Sequence, residues 1–189
     1  GYINIDEPFQ GLFTQGMVTH QTYKSNAGKW LAPDEVIKEN DQFVDLKNQH
    51  VSVGKIEKMS KSKKNVIDPS KTIDIYGADT ARWFMLSDSP PERDLEWTEY
   101  GISSSYKFIN KIWELSSELF ENNYKEKNNS DDDKIKTEIN NTVKRVTDNI
   151  DLFHYNKAIA NIHEFINNAQ KFITNKTVSR GEAINSFKK

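Results

Sequence analysis

Two lysines three residues apart, with a hydroxyl between them and another just beyond, mark the segment Lys58-Met59-Ser60-Lys61-Ser62. Ammonium groups on long side chains at that spacing suit a triphosphate. They follow negative charge as it moves toward a departing pyrophosphate, and Ser60 and Ser62 donate hydrogen bonds. Taken alone, the same pentapeptide also fits a solvated lysine face or a nuclear-localisation-like basic run. The wider stretch 55–64 holds five lysines and one glutamate with little apolar material, which predicts an exposed mobile loop.

Other groups capable of chemistry carry a weaker signal. Asp131-Asp132-Asp133 could attract a cation, but acids at a helix start already complement its dipole, so no metal site is predicted. Asp88, Glu92, Asp94 and Glu96 crowd around Arg93 and read as local pairing rather than an acid/base pair. His154 and His163 fall in the helical half, where a lone histidine is structural or solvated. For Trp83, Trp97 and Trp113, burial explains the position better than base stacking.

Composition narrows the classes further. The chain has 189 residues, 26 Lys plus Arg and 28 Asp plus Glu, a formal charge of -2 that excludes a uniformly basic coat, so any polyanion contact is local. With no cysteine, a disulfide scaffold, a thiolate zinc site and a cysteine nucleophile are excluded together. No run approaches the roughly 18 apolar residues of a membrane span, and the first ten residues lack a secretory apolar segment, so a soluble, cytoplasmic protein is expected. The start at Gly1, without Met, and an end at Lys189 inside a helical pattern predict a piece of a longer polypeptide.

Positioning the lysines requires two kinds of element. Residues 1–57 have strand-and-turn texture, with Ser25-Asn26-Ala27-Gly28 as a hairpin turn and Pro33-Asp34-Glu35 opening a brief helix. Asp68-Pro69 caps a short helix that ends at Gly77, a second helix covers 78–87 until Pro90-Pro91 stops it, and Leu95-Glu96-Trp97 forms a small strand or extended link. Thr98 then caps a long helix whose stripe runs Tyr106, Ile109, Ile112, Trp113, Leu115, Leu119, Phe120. A polar loop over 122–133 closes with a Ser130/Asp133 capping box. Further stripes follow at Ile135, Ile139, Val143, Val146, Ile150, Phe153 and at Ile159, Ile162, Phe165, Ile166, Ala169, Phe172, Ile173, and Ser179/Glu182 announce a last helix. The expected architecture is a mixed α/β part over 1–97, then an antiparallel α-helical bundle over 98–189, predominantly α overall.

The pentapeptide, with its continuation Lys63-Lys64-Asn65-Val66-Ile67-Asp68-Pro69 and then Tyr76-Gly77-Ala78-Asp79-Thr80-Ala81-Arg82-Trp83, resembles the second signature motif of class I aminoacyl-tRNA synthetases for Leu, Ile, Val and Met. Two stretches, residues 8–18 (Pro8-Phe9-Gln10-Gly11-Leu12-Phe13 through Val18) and residues 87–97 (Ser87-Asp88-Ser89-Pro90-Pro91 through Trp97), narrow the resemblance to leucyl-tRNA synthetases. It implies ATP-dependent activation of leucine to leucyl-adenylate, then transfer to tRNA(Leu). Lys61 would hold the β- and γ-phosphates with Mg²⁺, Lys58 would assist, and Met59, Ser60 and Ser62 would complete the ATP-binding loop. The resemblance also implies that residues 1–97 are the end of the catalytic nucleotide-binding fold, with 63–97 against the acceptor stem, and that 98–189 begin a tRNA-binding helical domain of the anticodon-binding type. Lys107, Lys111, Lys144, Arg145, Lys157 and Lys171 are candidates for tRNA phosphates. A monomeric full enzyme is expected. None of His20, His50, His154 or His163 has the neighbours of the family's His-Ile-Gly-His motif, so the isolated chain is expected to be inactive. The alternatives are the same segment of a methionyl, valyl or isoleucyl relative, and a non-catalytic RNA-binding helical module.

Overall fold

The structure is a computed structural model and describes residues 2, 4–120 and 124–189. Residues 1 and 3 of the N-terminal stretch and 122–123 of the predicted polar loop fall outside the described residues. Strand β1 (Val18–Ser25) organises the N-terminal part. Its β-branched and aromatic residues favour extended backbone. At Gly28 the φ of 75° lets the predicted turn close, Gly28 N–H donating to Ser25 O at 2.8 Å, and the chain returns as β2 (Trp30–Leu31). Pro33–Glu35 is a 3₁₀ turn in which the Glu35 carboxylate accepts from Ala32 N–H at 2.7 Å. A hairpin of β3 (Val36–Glu39) and β4 (Gln42–Asp45) turns at Asn40 and Asp41, both at positive φ.

Strand β5 (Val51–Lys58) runs antiparallel to β1, from Ser25 opposite Val51 to Thr19 opposite Lys58, with an irregularity between Gln21 and Tyr23. The predicted irregular loop therefore begins as strand: residues 55–58 belong to β5 because β1 supplies a partner for their backbone. After α1 (Pro69–Tyr76), capped by Asp68 as expected, and α2 (Ala78–Ser87), strand β6 (Leu95–Glu96) pairs parallel with Val18 and Thr19. Strands β2 and β6 thus take opposite ends of one edge of β1, and β5 takes the other edge.

The helical part comprises α3 (Glu99–Phe120), α4 (Asp132–Asp151), α5 (Tyr155–Asn175) and α6 (Arg180–Phe187). Thr98 Oγ1 accepts from Gly101 N–H at 3.1 Å and Ser179 Oγ accepts from Glu182 N–H at 3.3 Å, the two caps the sequence predicts. One apolar cluster joins Leu119, Ile135, Ile139, Phe165, Ala169, Ile173 and Ala183. A second joins Phe84, Leu95, Trp97 and Ile102, with Val18 and Met59 packed against it. Helix α2 serves both: Phe84 lies in the second cluster, while Trp83 stacks on Phe108 of the first at 5.3 Å between centroids. Mixed α/β followed by helices is the fold that the periodicity predicts. No helix among the described residues is long and apolar enough to cross a membrane.

Three helical details differ from expectation. The buried face of α3 is Ile102, Ser105, Phe108, Leu115 and Leu119, whereas Tyr106, Trp113 and Phe120 lie on an adjoining, exposed flank, Trp113 at 73% exposure. Close approach decides the face: a Cβ on Gly101 would sit 2.4 Å from the Phe84 ring, so the side of α3 with small residues must meet α2. Ser130 caps nothing; its hydroxyl bonds Asn128 Oδ1, and α4 starts at Asp132. Tertiary bonds set that start, Lys127 N–H and Asp131 N–H donating to the carbonyls of Lys176 and Thr177, and the Tyr124 hydroxyl to that of Val178. Finally, α4 stops at Asp151, so Phe153 leaves the stripe with φ 58°, and Val143 and Ile150 are exposed.

Candidate functional site

The lysine segment hangs between β5 and α1. Its backbone is held closely. Met59 N–H donates to Val18 O at 3.1 Å while the Met59 side chain packs on the second apolar cluster, which anchors the exit from β5 to the core. Ser60 is extended and caps the next turn, its Oγ accepting from Lys63 N–H at 3.4 Å and lying 2.7 Å from Ser62 Oγ. Lys61–Lys63 form a single 3₁₀ turn, closed by Lys64 N–H to Lys61 O at 3.3 Å, with Lys64 left-handed at φ 56°. The predicted mobile loop is, in this structure, a strand end followed by a capped turn.

Beneath the turn lies Asn65, fully buried. Its Oδ1 accepts from Ser60 N–H at 2.9 Å. Its Nδ2 donates toward His20 O (3.1 Å), Glu57 O (3.1 Å) and Lys58 O (3.3 Å). Nothing in the sequence marks Asn65 for burial, because a single polar residue in an aperiodic stretch leaves no pattern from which burial can be read.

The lysines divide by partner. Lys63 is ion-paired to Glu57, and Lys64 to Glu35 at 3.3 Å. Lys71 pairs with Asp34 at 2.7 Å, a hydrogen bond that holds the Asp34 carboxyl below its usual range. The last two pairs tie the 33–35 turn to the segment after the lysines; being surface contacts, each of the three is worth about 0–1 kcal/mol. Lys58 and Lys61 make no ion pair among the described residues, and both are exposed, as is Ser62. The pentapeptide thus presents its two lysines without a carboxylate to neutralise them. Half-buried His20 adds no firm positive charge nearby, since burial pushes its imidazole below its ordinary value despite a backbone contact to Gln21 O.

The acidic turn 88–96 is not built around Arg93. Asp94 instead accepts from Met17 N–H at 2.8 Å, beside Gly16 N–H to Pro91 O and Leu95 N–H to Met17 O, each also 2.8 Å. A Cβ on Gly16 would fall 1.9 Å from Arg93 O, so the backbones of the two quoted stretches meet where only glycine fits. Asp132 accepts from Ser179 N–H (2.6 Å) and Oγ (2.7 Å), and Asp131 from Lys134 (2.6 Å), which gives these acids structural partners. No cluster of three His, Asp or Glu placed to hold a metal occurs among the described residues. His163 stacks on Phe108 at 3.5 Å between centroids, and burial pushes its imidazole below the ordinary value.

Of the basic residues predicted to meet polyanion, Arg145 pairs with Glu164, and Lys111 and Lys171 bond to Asn167 and Asn168. Lys144 and Arg145 line a wide depression of about 920 Å³ together with Asp133, Glu138, Asp148 and Glu164. Its charge is mixed, and no residue of the lysine segment borders it.

The family described as tRNA synthetases class I (I, L, M and V) matches residues 46–98, which carry the lysine segment. A leucine–tRNA ligase of Rhizorhabdus wittichii is 47% identical over 171 residues, covering 90% of this chain and 19% of the relative. One of Brucella anthropi is 43% identical over 197 residues, covering 100% of this chain and 22% of the relative. The chain belongs to the leucine–tRNA ligase family. It spans about a fifth of the length of these curated relatives. Among solved structures, an Agrobacterium radiobacter LeuRS in ternary complex with tRNA and LeuAMS superposes with a TM-score of 0.69 at 23% identity, over 99% of this chain and 20% of that one. A Mycobacterium tuberculosis methionyl-tRNA synthetase in complex with methionyl-adenylate gives 0.50 at 20% identity, over 68% of this chain and 29% of that one. At those identities the likeness carries the fold, the mixed α/β and helical arrangement of this leucine–tRNA ligase segment.

Proposed function

We propose that this chain works within a longer cytoplasmic, monomeric leucine–tRNA ligase, supplying the phosphate-gripping turn and helices that contact tRNA(Leu). Residues 1–97 are the end of the catalytic domain, 63–97 its acceptor-stem segment, and 98–189 the start of the tRNA-binding helical domain. In the first step a leucine carboxylate oxygen attacks the α-phosphorus of ATP; the new O–P bond forms as the bond to the β-phosphate oxygen breaks, and pyrophosphate leaves. Lys61 and Lys58 reach the β- and γ-phosphates and stabilise the charge that accumulates there, with Mg²⁺ arriving as the nucleotide's own ion. Ser60 and Ser62 hold the turn and donate to phosphate oxygens. A terminal hydroxyl of tRNA(Leu) then attacks the adenylate carbonyl and AMP departs.

The observation that supports this reading best is the partition of the lysines: Lys63 and Lys64 are neutralised by Glu57 and Glu35, while Lys58 and Lys61 stand exposed without a carboxylate partner among the described residues. A merely solvating lysine run has no reason to divide in that way. Loss of one preorganised donor of this kind costs about 2.7–4 kcal/mol, or 10²–10³ in rate. Lys61→Ala in the full-length enzyme is therefore expected to slow leucine-dependent ATP–pyrophosphate exchange by about that factor. Unchanged exchange removes the assignment.

A further inference from the structure

We propose that Asn65 is the positioning residue of the lysine pair: its buried amide fixes the backbone from which Lys58 and Lys61 depart. The inference deepens the proposed function and rests on it. Asn65 belongs to neither apolar cluster, yet it is fully buried and its side chain takes part in four hydrogen-bonded contacts. Its two N–H hydrogens are shared among three carbonyls, those of His20 on β1 and of Glu57 and Lys58 at the end of β5, so at least one hydrogen is bifurcated. Its carbonyl oxygen meanwhile fills Ser60 N–H, the amide that opens the capped turn. One side chain thus spans the point where β5 ends, its partner strand and the residue that caps Lys61–Lys63.

The consequence for the lysines is geometric. Lys58 contributes its own carbonyl to the amide of Asn65, and Lys61 sits in a turn closed by Ser60 Oγ, by Lys64 N–H and, through Ser60, by Asn65. Their ammonium groups remain free on long stems while their α-carbons are pinned. Residue chemistry restricts the choice. Asp would offer acceptors only, toward three carbonyls; Ser is too short to reach both strands; and Gln adds a methylene in a space with no exposure. The left-handed Lys64, which reverses the chain just before Asn65, brings that amide back beneath the turn. Without it, both lysines leave a looser backbone, and stabilisation realised in the transition state falls further than binding of ATP in the ground state.

The test uses the full-length enzyme carrying this segment, with ATP–pyrophosphate exchange normalised to active sites titrated by adenylate formation. Asn65→Ala is expected to lower kcat about 10- to 100-fold with the KM for ATP changed by less than about threefold, and adding Asn65→Ala to the Lys58→Ala/Lys61→Ala enzyme is expected to change kcat by less than about threefold further, because both lysines that it positions are then already gone. A residue that only supported folding would reduce the titrated fraction of active sites and leave kcat per site intact. Should Asn65→Ala fail to fold, Asn65→Ser keeps a small neutral hydroxyl that cannot reach both strands, and a loss of kcat above about threefold is expected of it. The inference is overturned if kcat per site is unchanged in whichever variant folds, or if the loss from Asn65→Ala persists in full when Lys58 and Lys61 are both already replaced. Failure of the underlying reading looks different, since Lys61→Ala itself then leaves exchange intact.

Discussion

The lysine turn and the helical bundle are held by opposite means. In the bundle, apolar stripes from four helices meet, and Leu119, Ile135, Ala169, Ile173 and Ala183 lose all contact with water. Each large aliphatic side chain buried there contributes about 1.5–3 kcal/mol by area alone. Around residues 58–65 the only apolar anchor shown is Met59, partly buried on the second cluster, and the rest of the fixation is polar: one buried amide, one serine cap, and ion pairs of modest exposure. The bundle can lose a contact and remain a bundle, merely less stable. The turn has few bonds, each directional, and losing one changes where its cations stand.

Perturbations in the two regions are accordingly expected to separate stability from rate. The largest stability effect is in the bundle: Leu119→Ala costs about 2–5 kcal/mol in equilibrium denaturation, with exchange per active site little changed. A matching loss of kcat per site would erase the distinction. Gly101→Ala, which drives a Cβ into the Phe84 ring at the junction of α2 and α3, is expected to cost about 1–3 kcal/mol, read as a lowered thermal midpoint. Asp132→Ala removes the acceptor for both Ser179 N–H and Oγ and is expected to cost about 1–2 kcal/mol; an unchanged denaturation curve would mean that α6 docks without it.

Protonation offers a smaller probe of the bundle. Burial against Phe108, with Lys111 adding to the effect, lowers the affinity of His163 for a proton in the folded state. The unfolded chain therefore binds more protons as pH falls below about 6.5, and stability declines there by at most about 1.4 kcal/mol per pH unit from this group. His163→Phe should flatten part of that slope in denaturation curves taken between pH 7 and 5. His20, shifted in the same direction by burial, leaves a residual slope of its own. An unaltered slope in the variant would assign the effect elsewhere. The smallest change is expected from Glu57→Gln, which loses the pair to Lys63: within about 1 kcal/mol of stability, checked by denaturation at low and high salt.

The contrast also explains what could be read from sequence. Caps announced by a residue type at a fixed offset were legible, as Asp68, Thr98 and Ser179 show. So was the inner face of α5, where Phe165, Ile166, Ala169 and Ile173 keep the helical period. Ser130 has the same local signature as Ser179, yet tertiary bonds from residues 127 and 131 to 176 and 177 set the helix start. On α3 two adjoining flanks are both apolar enough, and Gly101 selects the inner one through its close approach to Phe84 of α2, which no single-helix pattern contains. Lys58 and Lys61 were legible as cations at a useful spacing; that Lys63 and Lys64 are neutralised was not, since Glu57 and Glu35 become partners only once β5 and the 33–35 turn are in place.

The most direct measurement compares a lysine that stands free with one that is paired. Exchange kinetics per active site for Lys61→Gln and Lys64→Gln in the full-length enzyme remove one positive charge each from the same turn. Gln at 64 tolerates the left-handed backbone about as Lys does. The account predicts a loss of about 10²–10³ for Lys61→Gln and a change within about threefold for Lys64→Gln, whose charge Glu35 already balances. Equal losses in the two variants would contradict it, because the turn would then act through its overall charge and not through the lysines it leaves unpaired.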